Sequence, residues 1–149
     1  YAIYYNKRPD GYYKLLSSWF LIIEDHVDIG ALCTIDRGVS ANTTIKKGTK
    51  LDNQVQIGHD TIIGENCLIA SLVGVAGCCI VEDDVTLWGQ VGTNSGITIE
   101  KGAVILGQSG VTKSLKGGKT YFGTPAGEAR KKLKEVAKIN QFLRDQKKI

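Results

Sequence analysis

"LDNQVQIGHDTIIGENCLIASLVGVAGCCIVEDDVTLWGQ", residues 51–90, decides the fold. Counting in sixes from Ile57 gives Ile57, Ile63, Ile69, Val75, Val81, Leu87, Thr93, Ile99, Ile105 and Val111, so nine of ten are aliphatic. Two residues before each stand Val55, Thr61, Cys67, Val73, Cys79, Val85, Val91, Ile97, Ala103 and Ser109, all small or β-branched. Leu51 and Ile45 keep the phase on the upstream side. Earlier the register shifts, with Ile29 and Ile35 at the main position and Val27 and Cys33 two before. Ten residues separate Ile35 from Ile45, one repeat plus four, so "DRGVSANTT" is expected to hold a four-residue loop. A period of six fits neither an α-helix nor one long strand. It fits short strands joined by turns, with residues i and i−2 facing inward. Three such strands closing a triangle make an 18-residue coil, stacked roughly 4.8 Å from the next.

The pattern resembles the known hexapeptide class, which implies a left-handed parallel β-helix; the period alone does not set the hand. The expected fold is mostly β, with a C-terminal α-helix. Residues 1–23 read as an aromatic-rich hairpin entering the solenoid, 24–114 as the β-helix, and 115–149 as a loop and a basic helix. Thr124 and Pro125 suit a helix start. Ala129, Leu133, Val136, Ile139 and Leu143 then recur at helical spacing, a stripe expected to cap the open end of the β-helix.

The 149 residues suffice for one domain with a substantial core. Eighteen glycines against two prolines suggest many tight turns in a regular architecture. There is no methionine, even at position 1, so the chain reads as a piece of a longer or processed protein. No apolar run approaches the roughly 20 residues of a membrane span, and no signal-peptide pattern is visible. Cys33, Cys67, Cys78 and Cys79 lack zinc-site spacing, so no metal is expected; they read as reduced thiols packing as small hydrophobes in a cytoplasmic protein. Residues 128–149 carry a balance of +5, and the preceding 127 carry −1. The basicity belongs to the tail, which argues against a nucleic-acid-binding surface.

The 18-residue coil says which residues stack. The corner after 45, 63, 81 and 99 reads "KKG", "GEN", "EDD" and "EKG" and should face water. The corner after 51, 69, 87 and 105 stacks Trp88 one coil from Leu106. The corner after 57, 75, 93 and 111 holds His59 among small residues, with Gly77 one coil away. Apolar surface on one ridge and small residues on another suggest a partner, most simply in a cyclic trimer. A base beside a backbone amide that glycine leaves accessible suits acyl transfer: one takes a proton, the other stabilises an oxyanion. Asp52 lies on a different corner and reaches His59 only across a subunit boundary. Trp88 and Leu106 would then line an apolar groove, although simple subunit packing explains them equally well. A lone histidine on a repeat corner is more often a turn residue without a task.

"IGALCTIDRG", "LDNQVQIGHDTIIGENCLIA", "GVAG" and "KTYFGTPA", within about residues 24–126, together resemble the UDP-3-O-(3-hydroxyacyl)glucosamine N-acyltransferases of the lipid A pathway. The resemblance implies a homotrimer that moves a 3-hydroxyacyl chain from acyl carrier protein to the 2-amine of a UDP-3-O-acylglucosamine. It implies His59 as general base, Gly77 as oxyanion donor and Asp52 as a carboxylate near the substrate amine. No resident cofactor is implied; the 4'-phosphopantetheine arrives on the carrier. Membrane contact would be peripheral at most. Two departures stand out. Many members read "GHITI" where this chain has "SGITI", with Gly96 in the place of a second histidine. The family's N-terminal uracil-holding domain has no room here.

The basic residues Arg130, Lys131, Lys132 and Lys134 crowd the start of the tail helix, which is unfavourable to the macrodipole and suits docking of an acidic carrier protein. One rival reading is a hexapeptide acetyltransferase that uses acetyl-CoA on an amino sugar. A carbonic anhydrase of this fold needs three histidines on zinc, and the chain has only His26 and His59. An ice-binding β-helix would show threonine ladders, which are absent.

Overall fold

The computed structural model describes residues 5–146 of the chain. It is a left-handed parallel β-helix of about six turns followed by one helix, Ala129–Gln146. Two-residue strands recur on the period of six, as in Gln56–Ile57, Ile62–Ile63, Leu68–Ile69 and Gly74–Val75. Each pairs in parallel with the strands one coil away: Ile69 lies opposite Leu51 on one side and Leu87 on the other. Three sheets of seven, five and five strands form the three faces. A separate antiparallel hairpin joins Tyr5–Arg8 to Gly11–Lys14.

The inward columns are those of the periodicity. Ile45, Ile57, Ile63, Ile69, Leu87 and Ile105 are fully buried, and every i−2 residue from Val55 to Ser109 is buried beside them. The polar members of that inner column are satisfied by their neighbours. Thr61 Oγ1 donates to the Ala76 carbonyl at 3.1 Å, and Thr49 Oγ1 donates to the Gly64 carbonyl at 2.7 Å. The turns follow one rule. Every sixth residue from Gly48 to Gln108 has φ between 53° and 77°, whether it is glycine or not. That left-handed conformation costs an L-residue about 1–2 kcal/mol, which the continuous ladders on both sides must offset.

The phase break between Ile35 and Ile45 is a loop, as expected. The chain leaves strand Thr34–Ile35, turns outward and re-enters as Thr43–Ile45. Gly38 is buried in this loop, and a Cβ there would fall 1.6 Å from the Ala41 carbonyl oxygen.

Three expectations are corrected. First, the solenoid does not run over 24–114. It begins with Leu21–Ile23, paired with Thr43–Ile45, and ends with Thr120–Phe122, paired with Val104–Ile105. The last coil is hidden in the sequence because its buried residues, Leu115 and Tyr121, come after a step of four and then six from Val111. Second, the helix starts at Ala129, not at Thr124 and Pro125, because Gly127–Glu128 is held antiparallel against Tyr121–Phe122. Its stripe does not cap the chain's own core: Leu133 is 57% exposed and Ile139 59% exposed. Third, not all four cysteines pack as small hydrophobes: Cys67 and Cys79 are buried and Cys33 packs half-buried against the core, but Cys78 does not. Cys78 sits at an outward turn position with φ 60° and is exposed. No described helix is long and apolar enough to cross a membrane.

Burial on alternate sides of a two-residue strand gives a direct test. Ile63→Ala should destabilise the protein by about 2–5 kcal/mol, as removal of a buried isoleucine does. Ile62→Ala, whose side chain points outward, should cost under about 1 kcal/mol. Urea unfolding of the two variants measures the difference.

Candidate active site

His59 follows strand Gln56–Ile57 at a turn, where its imidazole is largely covered, with 17% of the side chain exposed. Its Nδ1 lies 2.9 Å from Asp60 Oδ2. Asp60 is the left-handed residue of this turn, with φ 57°, which swings its carboxylate back toward the 36–42 loop. There Oδ1 accepts the backbone N–H groups of Val39, Ser40 and Ala41 at 2.8, 3.0 and 2.8 Å. Oδ2 also accepts the Ser40 hydroxyl at 3.1 Å. Burial pushes the Asp60 carboxyl up, but the His59 hydrogen bond and the three loop amides outweigh it and hold it at about 2. The carboxylate therefore stays ionised. An ionised partner at Nδ1 keeps the proton there and leaves Nε2 as the acceptor of the neutral ring.

The other face of the ring meets the next coil. The Cys78 N–H donates to the His59 carbonyl at 2.8 Å, which stacks Gly77 over His59. A Cβ on Gly77 would lie 2.7 Å from His59 Nε2. Glycine is thus required for the imidazole to lie where it does. The two residues that the coil arithmetic stacked are in contact, and the acceptor nitrogen faces the Gly77 backbone.

A cavity of about 490 Å³ runs along the sheet face beside this corner. Its floor is Gly74, Gly92 and Gly110, in register one above another, with Gln56 at one end and Thr124 at the other. Ala76, Asn94 and Thr112 form its rim on the His59 corner. A Cβ at Gly74 or Gly92 would meet nothing within 4 Å. Neither packing within the chain nor φ requires these two glycines.

The remaining expected residues lie elsewhere. Asp52 is on another corner, where Ser71 Oγ donates to it at 2.5 Å and the Asn53 N–H at 2.7 Å; both hold its carboxyl below the ordinary range. Trp88, 45% exposed, and Leu106 share that ridge, and neither lines the cavity. Within one chain an apolar cavity lies on the glycine face; the groove expected along Trp88 and Leu106 would lie between copies. Gly96 has no side chain to offer, and its N–H donates to the Gly77 carbonyl at 3.1 Å. On the helix, Arg130 and Lys134 are exposed. Lys131 pairs with Glu128 at 3.8 Å and Lys132 with Glu135 at 3.7 Å. The contact of Asp60 with the loop is not legible in the sequence, although the adjacent "HD" and the phase break were both visible.

Residues 42–77 match the model of the bacterial transferase hexapeptide, six repeats, a stretch that includes both His59 and Gly77. The UDP-3-O-acylglucosamine N-acyltransferase of Campylobacter lari is 42% identical over 142 residues, which take in 95% of this chain and 44% of that protein. Its counterpart in Rhizobium meliloti is 46% identical over 129 residues, 87% of this chain and 36% of that protein. Among solved structures, UDP-N-acetylglucosamine O-acyltransferase of Moraxella catarrhalis superposes with a TM-score of 0.70 at 28% identity, over 80% of this chain and 49% of that one. The Arabidopsis UDP-N-acetylglucosamine acyltransferase gives 0.71 at 26% identity, over 78% and 42%. Repeat, fold and corner geometry thus define a hexapeptide-repeat protein of the left-handed β-helix class. The chain belongs to the family of the UDP-3-O-acylglucosamine N-acyltransferases and spans less than half the length of these relatives.

Gly77→Ala tests the stacking. The added methyl should push the imidazole off Asp60 while the coil stays closed. The His59 ring signals in NMR should shift, with a melting temperature within a few degrees of the parent. Unmoved ring signals would mean that the imidazole has room to spare.

Proposed function

We propose that this chain carries the acyl-transfer centre of a UDP-3-O-acylglucosamine N-acyltransferase, which moves a 3-hydroxyacyl group from acyl carrier protein to the sugar 2-amine. The observation that carries the reading is the His59 imidazole, held at Nδ1 by an ionised Asp60 and facing Gly77 with Nε2. The amine nitrogen attacks the thioester carbonyl carbon. His59 Nε2 takes the proton that nitrogen sheds, and the Gly77 N–H faces the oxyanion that develops. The C–S bond then breaks, the amide forms, and the departing pantetheine sulfur takes its proton from His59. No resident cofactor enters these steps.

The glycine-floored cavity adjoins this corner and offers an apolar trough for the acyl chain. Asp52, Trp88 and Leu106 would act from a neighbouring copy in a homotrimer, where Asp52 faces the substrate amine. A UDP-sugar lipid acceptor and a carrier-borne donor fit an enzyme that works in the cytoplasm, touching the membrane at most peripherally.

The deciding assay offers the full-length enzyme UDP-3-O-acylglucosamine together with either 3-hydroxyacyl carrier protein or acetyl-CoA. Carrier protein should be the preferred donor, and His59→Ala should lower kcat by about 10²-fold or more with the assembly intact. Preference for acetyl-CoA would assign the chain to the amino-sugar acetyltransferases. Near-normal turnover by the alanine variant would remove His59 from the mechanism.

The basic helix is assigned to carrier docking. Arg130, Lys131 and Lys134 are exposed, whereas the Lys132 stem packs against Gly127 and also supports the fold. Reversal of Arg130, Lys131 and Lys134 to Glu should raise KM for the carrier-bound donor several-fold at low salt, through slower encounter. The effect should fade as salt shortens the screening length to about 8 Å and below, and a small pantetheine thioester should feel none of it. An unchanged KM at low salt would leave the helix without a part in docking.

A further inference from the structure

Cys78 is one coil above Asp60, and its thiol enters the same corner. Its Sγ lies 4.0 Å from Asp60 Oδ2, the atom that holds His59 Nδ1 at 2.9 Å. Among the described residues, His59, Asp60 and Cys78 are the one trio of metal-ligating types whose donor atoms all lie within 4.8 Å of one another. Nothing in the acyl-transfer scheme uses the thiol. We propose that His59, Asp60 and Cys78 form an inhibitory binding site for a thiophilic divalent cation such as Zn²⁺.

Imidazole nitrogen, carboxylate and thiolate form a donor set that zinc favours over magnesium or calcium. Zinc bond lengths in a tetrahedron set an N···O edge of about 3.4 Å and an S···O edge of about 3.6 Å. The present 2.9 and 4.0 Å lie within about half an ångström of those edges, and the imidazole–thiol separation, within 4.8 Å, must close by up to about an ångström, which rotation of the exposed Cys78 side chain supplies. Asp60 Oδ1 remains occupied by the three loop amides, which leaves Oδ2 as the ligand and keeps it aimed. Cys78 is exposed, which gives an ion a route in and leaves the fourth position to water.

Binding stops the base by a change of tautomer. A cation on Nδ1 displaces the proton that Asp60 holds there. The neutral ring then carries its proton on Nε2, the nitrogen over Gly77, which no longer accepts one from the amine. Cys78 gives up its thiol proton to solvent as it ligates. The site itself stands on the geometry alone; the inhibition rests on His59 being the base.

The test uses the full-length enzyme with Zn²⁺ and with Co²⁺ as a spectroscopic stand-in. Co²⁺ should give a sulfur-to-metal charge-transfer band that Cys78→Ser abolishes. Cys78→Ser should turn over normally without metal and bind Zn²⁺ in equilibrium dialysis more weakly than the parent, by at least the roughly 10-fold that even an outer-shell loss costs. Its turnover should resist Zn²⁺ by a similar factor. No thiolate band, or undiminished Zn²⁺ binding by Cys78→Ser, overturns the site. Cys78-dependent binding with unchanged turnover overturns the inhibition. The reading of His59 as base fails separately, in the metal-free turnover of His59→Ala.

Discussion

Each turn of this molecule needs one residue in the left-handed region, and the need returns every six residues. From Gly48 to Gln108 the requirement is met by Gly, Gln, Asp, Asn, Leu and Cys alike. Such turns are individually unfavourable for most of these residues. They persist because every strand between them is hydrogen-bonded on both sides and all but Gly92–Thr93 deliver an aliphatic side chain to the buried column, as at Ile57, Ile63 and Ile69. The backbone is over-determined, so a turn can carry a residue chosen for its chemistry rather than its conformation.

Asp60 shows what that freedom allows. Its left-handed φ turns the carboxylate toward a loop that interrupts the repeat, and three successive amides of the loop meet one oxygen. A carboxylate so solvated stays charged although only 6% of its side chain is exposed. It can then fix the tautomer of His59 without itself taking a proton. The loop is the second half of this device. Gly38 lets it fold back tightly, since any Cβ there would collide with Ala41. Remove the loop and Asp60 keeps its place in the coil but loses the amides that hold it ionised.

The same regularity leaves surfaces that the single chain does not use. Gly74 and Gly92 open a trough on one face, and Leu133, Ile139 and Phe142 leave the helix apolar on its outside. Each coil satisfies its inward face completely, so the outward face is free to serve substrates and other copies. Selection for such a use explains glycine where neither φ nor packing asks for it. In the same way the turn at Cys78 carries a thiol that the ladder does not need.

The periodicity of Ile57 to Val111 determined the coil, the inward columns and the stacking of Gly77 on His59, because a fixed period makes residues 18 apart neighbours without further information. The offset between Ile35 and Ile45 determined that a loop exists. Only the tertiary structure decided where that loop goes. Its amides find Asp60 across a gap of some 20 residues that follows no period, and no local pattern encodes such a contact. The same holds for the last coil, where Leu115 breaks the step of six and Tyr121 resumes it out of phase, yet both close the core. It holds again for the helix, whose spacing marked an apolar stripe without saying what covers it. Period gives geometry only where it is kept; where the chain departs from it, three-dimensional packing chooses the partner.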